Sequence, residues 1–117
     1  MPFRTDFQRL RDILDAISRL KVYCESISYE QFLADAMRRD AVERQFIRLG
    51  EAATGITPAL TAQFADIPWG EMRSMRNFIT HVYWGVNPQI LWDTVRKDLP
   101  DLEKQLRTVL SQVEDET

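Results

Sequence analysis

Arg73-Ser74-Met75-Arg76-Asn77-Phe78-Ile79-Thr80-His81-Val82-Tyr83-Trp84 reads as a helix with two unlike faces. At ~100° per residue, Met75, Phe78, Ile79 and Val82 join the preceding Met72 on one arc. Arg73, Arg76, Asn77, Thr80, His81 and Tyr83 occupy the other. A surface helix ordinarily carries Lys and Glu on its outer face, and this stretch has neither. In their place stand groups that bind anions and move protons, among them the chain's single histidine.

Working outward, Asp66-Ile67-Pro68-Trp69 predicts the start of this helix, with Asp66 as the cap and Pro68 entering, so that it spans about residues 68–83. Gly55-Ile56-Thr57-Pro58 stops one helix and begins a short one, about residues 58–64, through a C-terminal glycine, a threonine cap and a first-turn proline. Before it, Ser28-Tyr29-Glu30-Gln31 fits a capping box that opens a helix running to about Thr54, with a break near Asp35. Phe32, Leu33, Met37, Val42, Phe46, Ile47 and Leu49 are its expected core face. Gly50 falls inside that pattern at a cost of ~1 kcal/mol relative to alanine. With Ala52 and Ala53 beside it, a close helix crossing is the expected compensation. The first helix covers about residues 6–26, capped by Thr5 or Asp6, with Phe7, Leu10, Ile13 or Leu14, Ile17 and Leu20 or Lys21 at three-to-four spacing. Downstream, Gly85-Val86-Asn87-Pro88 starts a last helix over about residues 88–113, in which Pro100 predicts a kink or break. Its apolar positions are Ile90, Leu91, Val95, Leu99, Leu102, Leu106, Val109, Leu110 and Val113. No strand alternation or internal repeat is present. The expected fold is all-α, an up-and-down bundle of four to five helices in a single domain over residues 1–117, with a polar tail at 114–117.

The totals exclude several classes. At 44% apolar and 28% charged residues, the composition is that of a globular chain and argues against disorder. No apolar run reaches the ~20 residues needed to span a bilayer, and no secretion signal is read at the start. Cys24 is the only cysteine, so an intrachain disulfide is impossible. A reducing, cytoplasmic location is the expectation. The net charge of −3 disfavours broad nucleic-acid binding and leaves room only for a focused basic site.

That focused site has the parts for RNA cleavage without a metal. A ribose 2′-hydroxyl must lose a proton as it attacks the adjacent phosphate, the leaving 5′-oxygen must gain one, and the phosphoryl oxygens need positive charge. Histidine, with an ordinary pKa of ~6.5, suits the proton steps, and arginine suits the phosphate through its planar, permanently charged fork. Asn77, four residues before His81, is placed to fix the imidazole or touch the sugar, and Tyr83 to contact phosphate or stack on a base. One histidine does not readily serve as acid and base together, whereas a symmetric homodimer that apposes two such helices supplies two. Blander assignments stand beside this. Arg73 and Arg76 would then merely pair with Glu51 or Asp66, His81 would be an ordinary surface or hydrogen-bonded residue, and Tyr83 and Trp84 would be core or interface residues. Cys24 reads as a small buried hydrophobe, Trp69 and Trp92 as core aromatics. One His and one Cys far apart lack metal-ligand spacing, so no metal and no cofactor is expected.

Arg76-Asn77-Phe78-Ile79-Thr80-His81-Val82-Tyr83 resembles the R-x4-H-x-Y motif of HEPN-domain ribonucleases, and the branch it is most similar to is the HepT-like toxins. Phe32-Leu33-Ala34-Asp35, Leu49-Gly50-Glu51-Ala52, Ile67-Pro68-Trp69, and Leu91-Trp92 with Asp98-Leu99-Pro100 extend the resemblance over roughly residues 6–110. It implies an all-α bundle that dimerises, with Arg and His of both subunits lining one cleft. It implies a metal-independent endoribonuclease toxin acting on RNA, in which Arg76 and His81 are the catalytic pair and Asn77 is the polar residue after the arginine. It further implies a cognate antitoxin of nucleotidyltransferase fold, MntA-like, that silences the toxin by adding AMP to Tyr83. Some relatives keep this fold without activity, so a non-catalytic dimer that binds a nucleotide or a partner nucleotidyltransferase is the alternative, and a purely structural dimer the third.

Overall fold

The computed structural model describes residues 3–81 and 87–114, with side chains for all of these but 77–81. Every regular element among them is helical. The order is α1 (Asp6–Glu25), α2 (Tyr29–Ala34), α3 (Ala36–Gly55), α4 (Pro58–Gln63), α5 (Trp69–His81), α6 (Pro88–Asp93), a π-helical segment (Thr94–Asp98) and α7 (Leu99–Gln112). The four long helices lie in the order α5, α3, α1, α7: α3 packs widely on both α1 and α5, and α1 also packs on α7 and the π segment. The all-α expectation holds. Among the described residues, no helix is long and apolar enough to cross a membrane.

The local signals act where the sequence places them. Thr5 caps α1: the Gln8 amide donates to Thr5 Oγ1 at 3.1 Å and the Thr5 amide to Gln8 Oε1 at 3.0 Å. Asp6 has another task. Its carboxylate accepts from the Thr57 amide at 3.0 Å and the Thr57 hydroxyl at 2.6 Å, tying the start of α4 to that of α1. Ser28 and Gln31 repeat the reciprocal cap at α2. Asp35 ends α2 and caps α3, with ψ of 90° that no helix can contain, and accepts from the Arg38 amide at 3.0 Å. The break there resets the helical phase. Met37, expected in the core, is therefore 84% exposed, and Leu33, ~100° round α2 from the buried Phe32, is exposed as well.

The core is one cluster drawn from every element. Leu10, Ile13, Ile17 and Leu20 of α1 meet Val42, Phe46 and Leu49 of α3, all at 2% exposure or less. Phe32, Tyr29 and Trp92 form an aromatic group at the other end, with the Arg96 guanidinium 4.6 Å above the Trp92 ring. Cys24 is buried as expected, and that burial pushes its thiol pKa up.

The last helix does not break at Pro100; it stays helical over 88–112 and accommodates the proline by a π-helical segment just ahead of it. Proline cannot donate to the carbonyl four residues back and crowds it. The chain widens into the π segment, in which the Leu99 amide reaches Thr94 O, five residues back. This also corrects the register. Leu91, Val95 and Leu99 are spaced by four twice, a drift of ~40° per step at ~100° per residue, which the wider turn absorbs, so all three stay buried. Ile90, expected on the same face, is turned outward and half-exposed.

Candidate active site

α5 is fixed at its start by Ile67 and Trp69. Both are buried, and the Trp69 indole Nε1–H donates to Phe64 O at 2.9 Å. The Met72 amide donates to Pro68 O at 3.1 Å, so Pro68 and not Asp66 holds the cap position, and the helix begins at Trp69. The fixed φ of proline brings the chain into helical geometry at the next residue, three residues past Asp66. Along α5 the expected faces are observed as far as residue 76. Met72 is fully buried and Met75 half-buried, while Arg73, Ser74 and Arg76 are exposed.

Arg76 is seated on α3. A Cβ built at Gly50 would lie 2.7 Å from Arg76 Cβ, 2.7 Å from Arg76 N and 3.1 Å from Met72 O. No side chain fits in that space, so the close crossing expected from Gly50 is real, and its other half is the backbone of α5 at Arg76. Glu51, the next residue of α3, places Oε1 3.4 Å from Arg76 Nε, with the two side chains 55% and 44% exposed. Of the pairings weighed from sequence, this is the one the fold makes. Its direct worth to stability is small, ~0–1 kcal/mol for a pair so exposed. Arg73 Nε bonds to Trp69 O at 3.2 Å, which holds its guanidinium along the helix.

α5 remains helical through His81. Positions 76 and 81 are therefore ~7.5 Å apart along the axis and ~140° apart around it. The side chains of Asn77 and His81 lie outside the described residues, as does Tyr83 entirely. A groove of about 310 Å³ runs beside α5, lined by Phe46, Glu71, Ser74, Met75, Ile90, Leu91 and Thr94. Arg76 is not among its walls, so it is a feature of the α3, α5 and α6 junction distinct from the arginine. Among the described residues no group of three His, Cys, Asp or Glu side chains gathers as a metal site needs.

The model of the family described as Ribonuclease HepT-like matches residues 13–109. This chain belongs to the HepT-like ribonuclease family. A probable ribonuclease HepT of Thermococcus cleftensis is 37% identical over 94 residues, covering 80% of this chain and 86% of that protein. A putative RNase of Caldanaerobacter subterraneus subsp. tengcongensis is 34% identical over 101 residues, covering 86% and 90%. A putative RNase of Methanocaldococcus jannaschii is 33% identical over 100 residues, covering 86% and 92%. No solved structure is matched at a significant level. The HepT-like match spans α3 and α5, and so includes both Gly50-Glu51 and the Arg76-to-His81 segment.

Sequence reasoning had the crossing glycine but not what it crosses. It weighed Glu51 only as a bland partner for Arg76. The available signal was adjacency: a charged residue next to a crossing glycine must flank whichever helix crosses there.

Proposed function

We propose that this chain is an endoribonuclease that cuts RNA without a metal, through attack of a ribose 2′-hydroxyl on the neighbouring phosphate. The observation that carries the reading is an exposed Arg76 on a helix that continues unbroken to His81, in a chain of a ribonuclease family. Arg76 binds the phosphoryl oxygens and offsets their growing charge. His81 moves the protons. Asn77 and Arg73 support substrate.

The active unit is a homodimer. Two positions ~140° apart on one straight helix point away from a common centre. Two copies of α5 brought together by a two-fold axis place the arginine of one near the histidine of the other and supply a second imidazole. The toxin role belongs to the same reading: the chain acts with a cognate MntA-like antitoxin of nucleotidyltransferase fold. The antitoxin blocks the cleft when the Tyr83 phenol oxygen attacks the α-phosphate of ATP and pyrophosphate leaves. The adduct puts bulk and negative charge where RNA phosphate must enter.

The test is cleavage of RNA in excess EDTA by purified protein. Products should end in 2′,3′-cyclic phosphate, and His81→Ala should abolish turnover. Cutting that persists unchanged in His81→Ala overturns the reading. Mixed Arg76→Ala and His81→Ala chains should recover some activity after subunit exchange, and no recovery despite proven exchange rules out a shared cleft.

A further inference from the structure

The geometry points to Gly50 and Glu51 of α3 as positioning residues for Arg76: the glycine sets how deeply α5 sits at the arginine, and the carboxylate sets the direction of its guanidinium. The kinetic part of this inference rests on the ribonuclease reading above.

Two independent features converge on one side chain. The first is steric. The missing Cβ of Gly50 lies 2.7 Å from both the Cβ and the backbone nitrogen of Arg76, so the glycine touches the root of that side chain and not a flexible end. Helix spacing follows the side chains at the contact, and here there is none on the α3 side. The second is electrostatic. Glu51 engages Nε, the guanidinium nitrogen nearest the chain. A carboxylate there restrains rotation about the last bonds of the arginine.

Glu51 is otherwise badly placed for an RNA-cutting protein. A carboxylate beside a phosphate-binding arginine weakens the pull on an anion. Its removal should therefore improve RNA binding if it has no other part. If it orients Arg76, the same removal should slow the chemical step, because catalysis depends on the guanidinium being where charge develops. The two outcomes separate as a KM effect against a kcat effect.

The experiment compares wild type with Glu51→Gln, an isosteric change at a half-exposed site that should leave the melting temperature unaltered. On a defined RNA, kcat should fall at least tenfold while KM stays level or drops, with the shape of the pH–rate profile kept. Unchanged kcat overturns the positioning role. Loss of one limb of the pH profile also overturns it, since Glu51 would then carry a proton itself. A second readout needs no activity: the Arg76 Nε–H resonance in labelled protein, identified by its loss in Arg76→Lys. Its hydrogen should exchange with water severalfold faster in Glu51→Gln, and equal exchange refutes the inference. If wild type cuts no RNA while the resonance still depends on Glu51, the proposed function falls and the seat for Arg76 stands.

Discussion

α3 has two working sides, and they are built differently. Towards α1 it presents Val42, Phe46 and Leu49, fully buried against Leu10, Ile13, Ile17 and Leu20. The rim of that contact is charged: Arg48 Nη1 is 2.5 Å from Asp15 Oδ2, and Arg48 also faces Asp12. At Arg76 of α5 it presents a glycine, which meets Arg76 Cβ and backbone atoms of Arg76 and Met72, and a half-exposed glutamate, which meets Arg76 Nε. The first side holds helices together with volume. The second, within an equally wide α3–α5 contact, brings one particular arginine close by leaving out a side chain at Gly50. Bulk packing and placement of the arginine thus fall to different residues of one helix, and each can be attacked separately.

The largest effect is expected from the α1 side. Phe46→Ala removes a fully buried ring at the middle of the cluster and should cost about 3–5 kcal/mol of unfolding free energy, read from urea denaturation. Should that loss be under ~1 kcal/mol, α3 would not be the central core helix. Gly50→Ala breaks the other side. Alanine is the better helix former by ~1 kcal/mol. Yet its methyl would meet backbone at 2.7 Å, and forced overpacking costs about 1–3 kcal/mol. The steric term should win, giving a modest net loss of stability, together with a loss of RNA cleavage larger than that destabilisation explains. A more stable Gly50→Ala would mean that α5 moves aside without penalty and that the comparison between the two sides is wrong.

How much of this was legible in sequence follows from the range of each interaction. Caps and breaks are local, so Thr5, Ser28, Asp35 and Thr57 could be placed from a few neighbours, and the amphipathic face of α5 from periodicity alone. Asp66 was misplaced as a cap because the choice between two adjacent starts depends on where Trp69 is buried. Met37 was misjudged because the phase was carried across Asp35, where ψ of 90° discards it, and Leu33 because it adjoins Phe32, the one buried residue of α2. The π segment was invisible as such, though two successive four-residue steps before Pro100 contain its reason. For the site, the motif is readable in the sequence, whereas choosing Glu51 among the possible partners of Arg76, 25 residues away, needs the crossing that only the fold supplies.

The smallest effect concerns charge on the α1 side. Asp15 is held below its ordinary value of 3.8 first by its hydrogen bond from Arg48 and then by that from Arg19. Asp35 is lowered too, by the Arg38 backbone amide it caps and then by the Arg38 side chain. A carboxylate depressed in the folded state adds stability that is complete above the unfolded value and disappears as pH falls through the folded one. These contributions should therefore be intact at pH 5 and lost progressively below about 3.8. Glu43 works in the opposite sense. Burial, and then the neighbouring Asp40, raise it above 4.5, so the folded chain takes up its proton first and gains slightly as pH drops toward that value. Urea midpoints measured from pH 7 downward should rise gently, pass a maximum near pH 4 to 5, and then decline. Glu43→Gln should flatten the rise and Asp15→Asn should soften the decline. The exposure of Asp15 limits its share to under ~1 kcal/mol, shrinking further in salt. A decline untouched by Asp15→Asn would place the acid-sensitive charge elsewhere and leave the α1 side of α3 held by volume alone.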